Sequence, residues 1–258
     1  MGYLAPVLRV VSKSPAAQAF AAALEAPGPL PPVADDVSLV LGGDGTMLQA
    51  IHNQAHGRTW LGLNFGHLGF LMNDLPAEGA VEYVRERLAT HDWQSHNFMR
   101  LSMRAAAGAR EVAGLAVNDV YIERHSGTAC HLRVSVDGHV VAERLVCDGI
   151  IAATPLGSTA YSFSAGGSAG HPLVRSIHLT AICPHAPKLP PLVLPATARI
   201  RVDVLDAKRR PARVVVDGIA YGDVRNVEVG SSPTDDVALA FFAGHDFTRT
   251  LLRKVVRR

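Results

Sequence analysis

Near residue 96 the hydrophobic rhythm of this chain changes, and that change limits the folds open to it more than any other feature. Upstream, compact apolar runs alternate with helix-like segments. Leu8 to Val11 leads through Ser12 and Pro15 into the alanine-rich Ala16 to Leu24, which reads as strand, turn and helix. Ala26 to Pro32 holds four prolines in seven residues and reads as an extended connection. Val37 to Leu41 is a β-branched and aliphatic run suited to a buried parallel strand, and Gly42 to Thr46 carries it into Met47 to Gln54, which has helical character. Trp60 to Asn64, a glycine-bearing stretch through Gly66 and Gly69, and a helix expected over Pro76 to Leu88 supply a third such unit. Downstream the period falls to two. Leu132, Val134 and Val136 alternate with polar neighbours and stop at Asp137-Gly138, a hairpin signal. Ile200, Val202 and Val204 repeat the alternation, Val214 to Val216 runs into Asp217-Gly218, and Val227 with Val229 precedes a turn at Gly230 to Pro233. The expected fold is an α/β domain over 1–95, Rossmann-like with a parallel sheet, followed by a β-rich, sandwich-like domain over 96–258. The apolar stretch Val237 to Phe242 lets about the last 20 residues either finish the second domain or return to the first.

Composition narrows the class of protein. Of 258 residues, 48% are hydrophobic and 19% charged, enough apolar material for a sizeable core and too little charge for a disordered chain. A net charge of +2, with the densest basic cluster at Arg253, Lys254, Arg257 and Arg258, gives no nucleic-acid footprint, and that end reads as a solvated helix terminus. Cys130, Cys147 and Cys183 form no CxxC pair and read as reduced thiols. The chain shows neither a signal-peptide core nor a membrane-length apolar run, so a cytoplasmic location without a membrane partner is expected. His52 and His56 have the spacing of a helical zinc pair, but Asn53 stands where that motif has glutamate, and they read as surface histidines.

The chemistry concentrates in three places. In Gly42-Gly43-Asp44-Gly45-Thr46, three glycines let backbone N–H groups approach a ligand, and the following helix start adds partial positive charge, a combination suited to phosphate oxygens. A carboxylate in such a loop repels phosphate unless it meets a metal or takes a proton from an attacking hydroxyl, so Asp44 reads either as a base or as a cap on the helix through Thr46 or Met47. The loop is neither a Walker P-loop nor a GxGxxG fingerprint. Asp148 to Tyr161, continuing through Ser164-Ala165-Gly166-Gly167, is an apolar strand running into a glycine- and hydroxyl-rich turn and a helix, offering the donors and the aromatic face that a nucleotide uses. Asn118-Asp119, after Leu115 to Val117, is a polar pair at a strand end that could hydrogen-bond an amide and a sugar hydroxyl.

Together these segments resemble the NAD kinases. Gly42 to Thr46 is similar to that family's GGDGT motif, Asn118-Asp119 to its Asn-Glu pair, and Asp148 with Thr154 to Gly167 to its TPTGSTAY-x-x-SAGG block, in the same order and spacing. Ala181 to His185 is similar to a further Pro-Ile-x-Pro-His segment, so the likeness runs from about Asp36 to Leu194. The resemblance implies phosphoryl transfer from ATP or polyphosphate to the adenosine-ribose 2′-hydroxyl of NAD, with Asp44 as catalytic base. Gly42, Gly43, Gly45 and Thr46 would hold the donor's phosphates, whose charge a divalent ion, Mg2+, neutralises; no protein ligand to that ion is assigned. Gly45 would also bind NAD, Asn118, Asp119, Thr159, Ala160, Tyr161 and Ser164 would contact its adenosine side, and Asp148 would orient its nicotinamide side. The family also implies a homodimer or homotetramer.

The sequence departs from the family pattern in four places. Asp119 replaces glutamate, Leu156 a threonine and Ser168 a proline, and Ala186-Pro187-Lys188-Leu189-Pro190-Pro191 lacks the usual arginine. Two other readings are compatible with the first motif: a lipid kinase of the same superfamily, acting on a diacylglycerol or sphingoid alcohol, and a non-catalytic NAD-binding sensor. The polar character of Asn118 through Ser164 opposes the first, and the intact Asp44 loop opposes the second.

Overall fold

A computed structural model describes residues 7–31, 37–53, 59–66, 69–108 and 110–256. Pro32, Asp36, Gln54, His56, Arg257 and Arg258, which entered the reading above, lie outside the described residues. The elements run β1 (Val7–Val11), α1 (Pro15–Glu25), β2 (Val37–Gly42), α2 (Asp44–His52), β3 (Thr59–Asn64), α3 (Ala80–Ala89) and β4 (Trp93–Phe98). Twelve strands follow: β5 (Leu101–Ala107), β6 (Arg110–Ala116), β7 (Asp119–Arg124), β8 (Cys130–Val136), β9 (His139–Cys147), β10 (Gly149–Ala153), β11 (Ser176–Ile182), β12 (Leu192–Pro195), β13 (Arg199–Leu205), β14 (Ala212–Val216), β15 (Ile219–Asp223) and β16 (Asn226–Ser231). Between β10 and β11 lie a 3-10 turn, Gly157–Thr159, and the short α4 (Tyr161–Ser164); β17 (Val237–Phe242) and α5 (Phe247–Val256) close the described chain. By compactness the chain forms two units, one of the described residues up to Phe98 with Val237–Thr250, the other Met99–Asp236 with the described residues from Leu251.

The first unit is built on a sheet of order β1-β2-β3-β17-β4, parallel except that β4 runs antiparallel to β17. All six residues of β2 are buried, as a central parallel strand covered on both faces requires. Leu39, Leu41, Leu61, Leu63, Ala240 and Phe242 pack on one face against Ala17, Ala21 and Leu24 of α1 and Val84 and Leu88 of α3. The alternate position of β3, Gly62, faces Met47 of α2: a Cβ there would lie 2.7 Å from the Met47 Cε. The buried Asn73 side chain donates to the carbonyls of Gly62 (2.9 Å) and Ala240 (3.0 Å) and accepts from the Phe242 N–H (2.8 Å), fastening β17 into the sheet. Of the two placements open to Val237–Phe242, the return to the first sheet is the one adopted.

The second unit is a β-sandwich. One sheet has the order β12-β11-β10-β7-β14-β15 and the other β6-β5-β16-β13-β8-β9, with antiparallel pairing throughout. Their inward residues form one core that includes Val120, Ile122, Ile150, Ala152, Val214 and Val216 from the first sheet and Leu101, Met103, Leu132, Val134, Val202 and Val227 from the second. Both Asp-Gly signals close two-residue hairpins with positive φ at each position, 50° and 80° at Asp137-Gly138 and 46° and 83° at Asp217-Gly218. Strand β10 is buried at all five positions, because Ile151 and Ala153 face away from the sandwich and are covered in turn with Ile182, Tyr121 and Ala165.

Three local expectations are corrected. Helix α2 begins at Asp44, inside the glycine motif, because the extended Gly43 serves as its N-cap. Helix α3 begins at Ala80 and not Pro76, after Gly79 with φ 64°. The helix expected after Thr159 is a single turn, stopped by Gly166 with φ 90° and by a Gly167 N–H that turns back to the Ser162 carbonyl (2.8 Å).

Candidate functional site

In the first unit the glycine loop lies at the C-terminal end of β2, where ligands of open α/β sheets gather. The Thr46 and Met47 N–H groups donate to the Gly43 carbonyl (2.9 and 3.1 Å), so those of Asp44 and Gly45 belong to the first turn, ahead of the intrahelical bonds. The Asp44 side chain does not cap its own helix. Its Oδ2 accepts from the Phe70 N–H and its Oδ1 from the Leu71 N–H, each at 3.1 Å. Gly69 makes this possible: a Cβ there would lie 2.0 Å from Asp44 Oδ1. Asn64 adds a second brace, accepting from the Gly66 N–H (2.9 Å) and donating to Asp74 (3.0 Å). The two backbone bonds fix the direction in which the Asp44 carboxylate points.

In the second unit β7 lies between β10 and β14, and the register sets Asp119 opposite Ala153. The Thr154 hydroxyl donates to the Val117 carbonyl (2.6 Å) and accepts from the Gly157 N–H (3.1 Å), while the Thr154 N–H donates to the Asn118 carbonyl (2.8 Å). Gly157 can be only glycine, since a Cβ there would lie 2.1 Å from the Asn118 carbonyl oxygen. Ser158 continues the packing, donating to the Pro155 carbonyl (2.7 Å) and accepting from the Gly170 N–H (2.8 Å). The hydroxyl-rich block is thus folded largely onto itself and onto the 117–119 turn. Thr159 is buried, Ala160 half-buried, and Tyr161 and Ser164 are exposed.

Tyr161 meets Tyr121 edge-on, with centroids 5.1 Å apart at 78°. Beside it a recess of about 230 Å³ is lined by Glu123, Arg124, Asp148, Tyr161 and Ile182. Asp148 is held there by Arg124 (2.8 Å), and Glu123 by Arg213 (2.7 Å). Burial, the Glu123 carboxylate and other neighbouring groups hold the Tyr161 phenol above its ordinary range, so it stays a neutral donor. The site offers an aromatic wall and paired charges. Among the described residues no group of three or more His, Cys, Asp or Glu side chains could hold a metal ion.

Asp119 is 5% exposed, and burial, reinforced by the Asp217 carboxylate, raises its pKa to about 7. A carboxyl with a folded-state pKa above its unfolded value favours folding at low pH, and that contribution is lost as pH rises from about 4 through about 7. Replacing this side chain with the neutral amide of asparagine removes the buried charge. We expect Asp119→Asn to gain little at pH 4.5 but on the order of 4 kcal/mol at pH 8, where the native carboxyl would be ionised in its buried setting. Urea unfolding at the two pH values measures the difference, and an equal effect at both refutes the assignment.

The structure therefore groups Gly42 to Thr46 in one unit, and Asn118, Asp119, Asp148 and Thr159 to Ser164 in the other. Sequence reasoning missed the groups that hold these residues: Gly69 to Leu71 around Asp44, Arg124 on Asp148, and Asp217, which entered only as a hairpin turn. Gly69 was visible as a glycine with no assigned purpose; Arg124 left no signal.

With this geometry in view, comparison with known proteins gives a consistent result. Residues 117–233 match the family model of the ATP-NAD kinase C-terminal domain. An NAD kinase of Cereibacter sphaeroides is 41% identical over 249 residues, covering 95% of this chain and 96% of that one. An NAD kinase of Brucella suis is 35% identical, covering 86% and 85%. Among solved structures, yeast NADH kinase complexed with NADH superposes with a TM-score of 0.76 at 27% identity, covering 87% of this chain and 66%, just under two thirds, of the yeast chain. An NAD kinase from Archaeoglobus fulgidus in complex with ATP gives 0.72 at 27% identity, covering 86% and 84%.

Proposed function

The chain belongs to the NAD kinase family, and from that premise we propose that it transfers the terminal phosphoryl group of ATP to the 2′-hydroxyl of the adenosine ribose of NAD, with Asp44 as the base. The observation that carries this reading is the Asp44 carboxylate, oriented by the Phe70 and Leu71 N–H groups at the start of α2, where donor phosphates meet first-turn amides. Asp44 accepts the hydroxyl proton as the ribose oxygen attacks the terminal phosphorus. The bond from that phosphorus to its bridging oxygen breaks, and ADP leaves. Gly42, Gly43, Gly45 and Thr46 cradle the donor. In-line transfer of this kind draws chiefly on positioning and charge stabilisation.

The divalent ion enters as part of the donor. Mg2+ is ordinarily bound through substrate phosphates and one or two carboxylates. On the acceptor side, Asn118 and Asp119 contact the adenosine, Thr159, Ala160, Tyr161 and Ser164 line its pocket, and Asp148, fixed by Arg124, faces the nicotinamide half. Family membership removes the ground for the lipid-kinase alternative. It also supports a homodimer or homotetramer. No helix among the described residues is long and apolar enough to cross a membrane, and the cysteines are free thiols; the latter supports a reducing, cytoplasmic setting.

The test is direct. Purified protein with NAD, ATP and magnesium is expected to form NADP, read through an NADP-specific dehydrogenase, with inorganic polyphosphate as a second donor. Binding of NAD without NADP from either donor would leave the sensor reading in its place.

A further inference from the structure

The backbone between β6 and β7 is fully committed. Each of Val117, Asn118 and Asp119 has one N–H and one carbonyl, and two other residues satisfy all of them. Asp217 Oδ2 accepts from the Val117 N–H at 2.7 Å, and its Oδ1 accepts from the N–H groups of Asn118 (2.8 Å) and Asp119 (3.0 Å). The Asp217 N–H donates to the Asp119 carbonyl (3.0 Å), and the remaining two carbonyls accept from Thr154, Val117 from its hydroxyl and Asn118 from its N–H. Three consecutive N–H groups converging on one anion form a nest of the kind that elsewhere binds a ligand's phosphate or carboxylate. Here the anion is internal, about a hundred residues away in sequence, at the tip of the β14–β15 hairpin.

From this we infer that Asp217 is a positioning residue for the NAD acceptor: it fixes the 117–119 backbone, so that recognition there falls to the Asn118 and Asp119 side chains alone. The inference rests on the NAD kinase reading. It extends that reading to a residue that need not touch either substrate. The charged neighbours of the frame are consistent with it: Arg100 feels the attraction of Asp217, and Asp119 feels its repulsion.

The informative substitution is Asp217→Asn. Asparagine tolerates positive φ, so the hairpin can keep its turn, but it has a single acceptor oxygen, and its amide NH2 must face one of the three N–H groups. The matched control is Asp137→Asn, at the same turn position of the β8–β9 hairpin, where the carboxylate accepts instead from the Arg199 N–H. Loss of charge-assisted bonds to the frame is expected to raise the KM for NAD about tenfold or more in Asp217→Asn. The KM for ATP and kcat should stay within about twofold, and Asp137→Asn should leave all three constants unchanged. Calorimetric titration with NAD should show the same weakening. If Asp217→Asn does not fold, Thr154→Val, which removes the hydroxyl bonded to the Val117 carbonyl, tests the frame from its other side with the same expected split. An unchanged NAD KM and affinity, or an equal rise in Asp137→Asn, overturns the inference. A parent that binds NAD but makes no NADP overturns the kinase reading and leaves the frame to be judged by calorimetry; a parent that binds no NAD overturns both.

Discussion

Asp44→Asn is expected to lower kcat for NADP formation by about 10²- to 10⁴-fold, the usual contribution of a positioned general base, while the affinity for NAD is kept. The side chain keeps its size but loses the ability to take a proton. One of its terminal atoms becomes an NH2 facing the Phe70 or Leu71 N–H, so the orienting contacts weaken as well. Turnover measured at saturating NAD and ATP, with NAD binding followed by calorimetry, separates the two effects. A variant within about fivefold of the parent would remove Asp44 from the role of base.

The second large effect is expected at a residue that does no chemistry. Alanine at Gly69 would place its Cβ 2.0 Å from Asp44 Oδ1 and 2.5 Å from its Cγ. The carboxylate cannot retreat without giving up its two backbone donors, and Phe70 and Leu71 are each 1% exposed, so their amides have little room to follow. Gly69→Ala should therefore lose most of its activity, approaching the Asp44 variant, and destabilise the fold by about 2 to 4 kcal/mol through overpacking and two lost bonds. Gly45→Ala is the control. Nothing lies within 4 Å of its added Cβ, so it should melt like the parent, and any fall in its activity would report phosphate approaching that backbone. Parent-like activity in Gly69→Ala would show that the Asp44 carboxylate has freedom the packing denies it.

How much of this was legible depended on distance along the chain. Features resting on neighbours in sequence were readable: the apolar run of β2, the alternation of β8 and β13, and the Asp-Gly turns with their positive φ. Strand β4, Trp93-Gln94-Ser95-His96-Asn97-Phe98, was not, because it is a polar edge strand held by pairing with β17 and carries no periodic signal of its own. The start of α2 was misplaced because Asp44-Gly45-Thr46 looks like loop, although an extended glycine followed by an acidic first turn is a sound helix start. The reactive residues stood in motifs, but the groups that aim them did not. Asp44 is held from 26 and 27 residues away, and Asn118 from 99. Cys130 and Cys147, distant in sequence and read as separate thiols, face each other across β8 and β9 with sulfurs 3.7 Å apart.

The place of β17 in the first sheet also governs how the protein must be made. On the ribosome the chain exposes β1, β2, β3 and β4, then the whole of Met99–Asp236, before the strand that joins β3 to β4 has been synthesised. At translation rates of roughly 5 to 20 residues per second, that interval lasts on the order of ten seconds. Throughout it β3 presents an unpaired edge with Trp60, Leu61 and Leu63 on a half-built sheet, the kind of surface that recruits foreign strands. The side of β3 that β17 covers in the finished sheet thus stays open until almost the whole chain has been made.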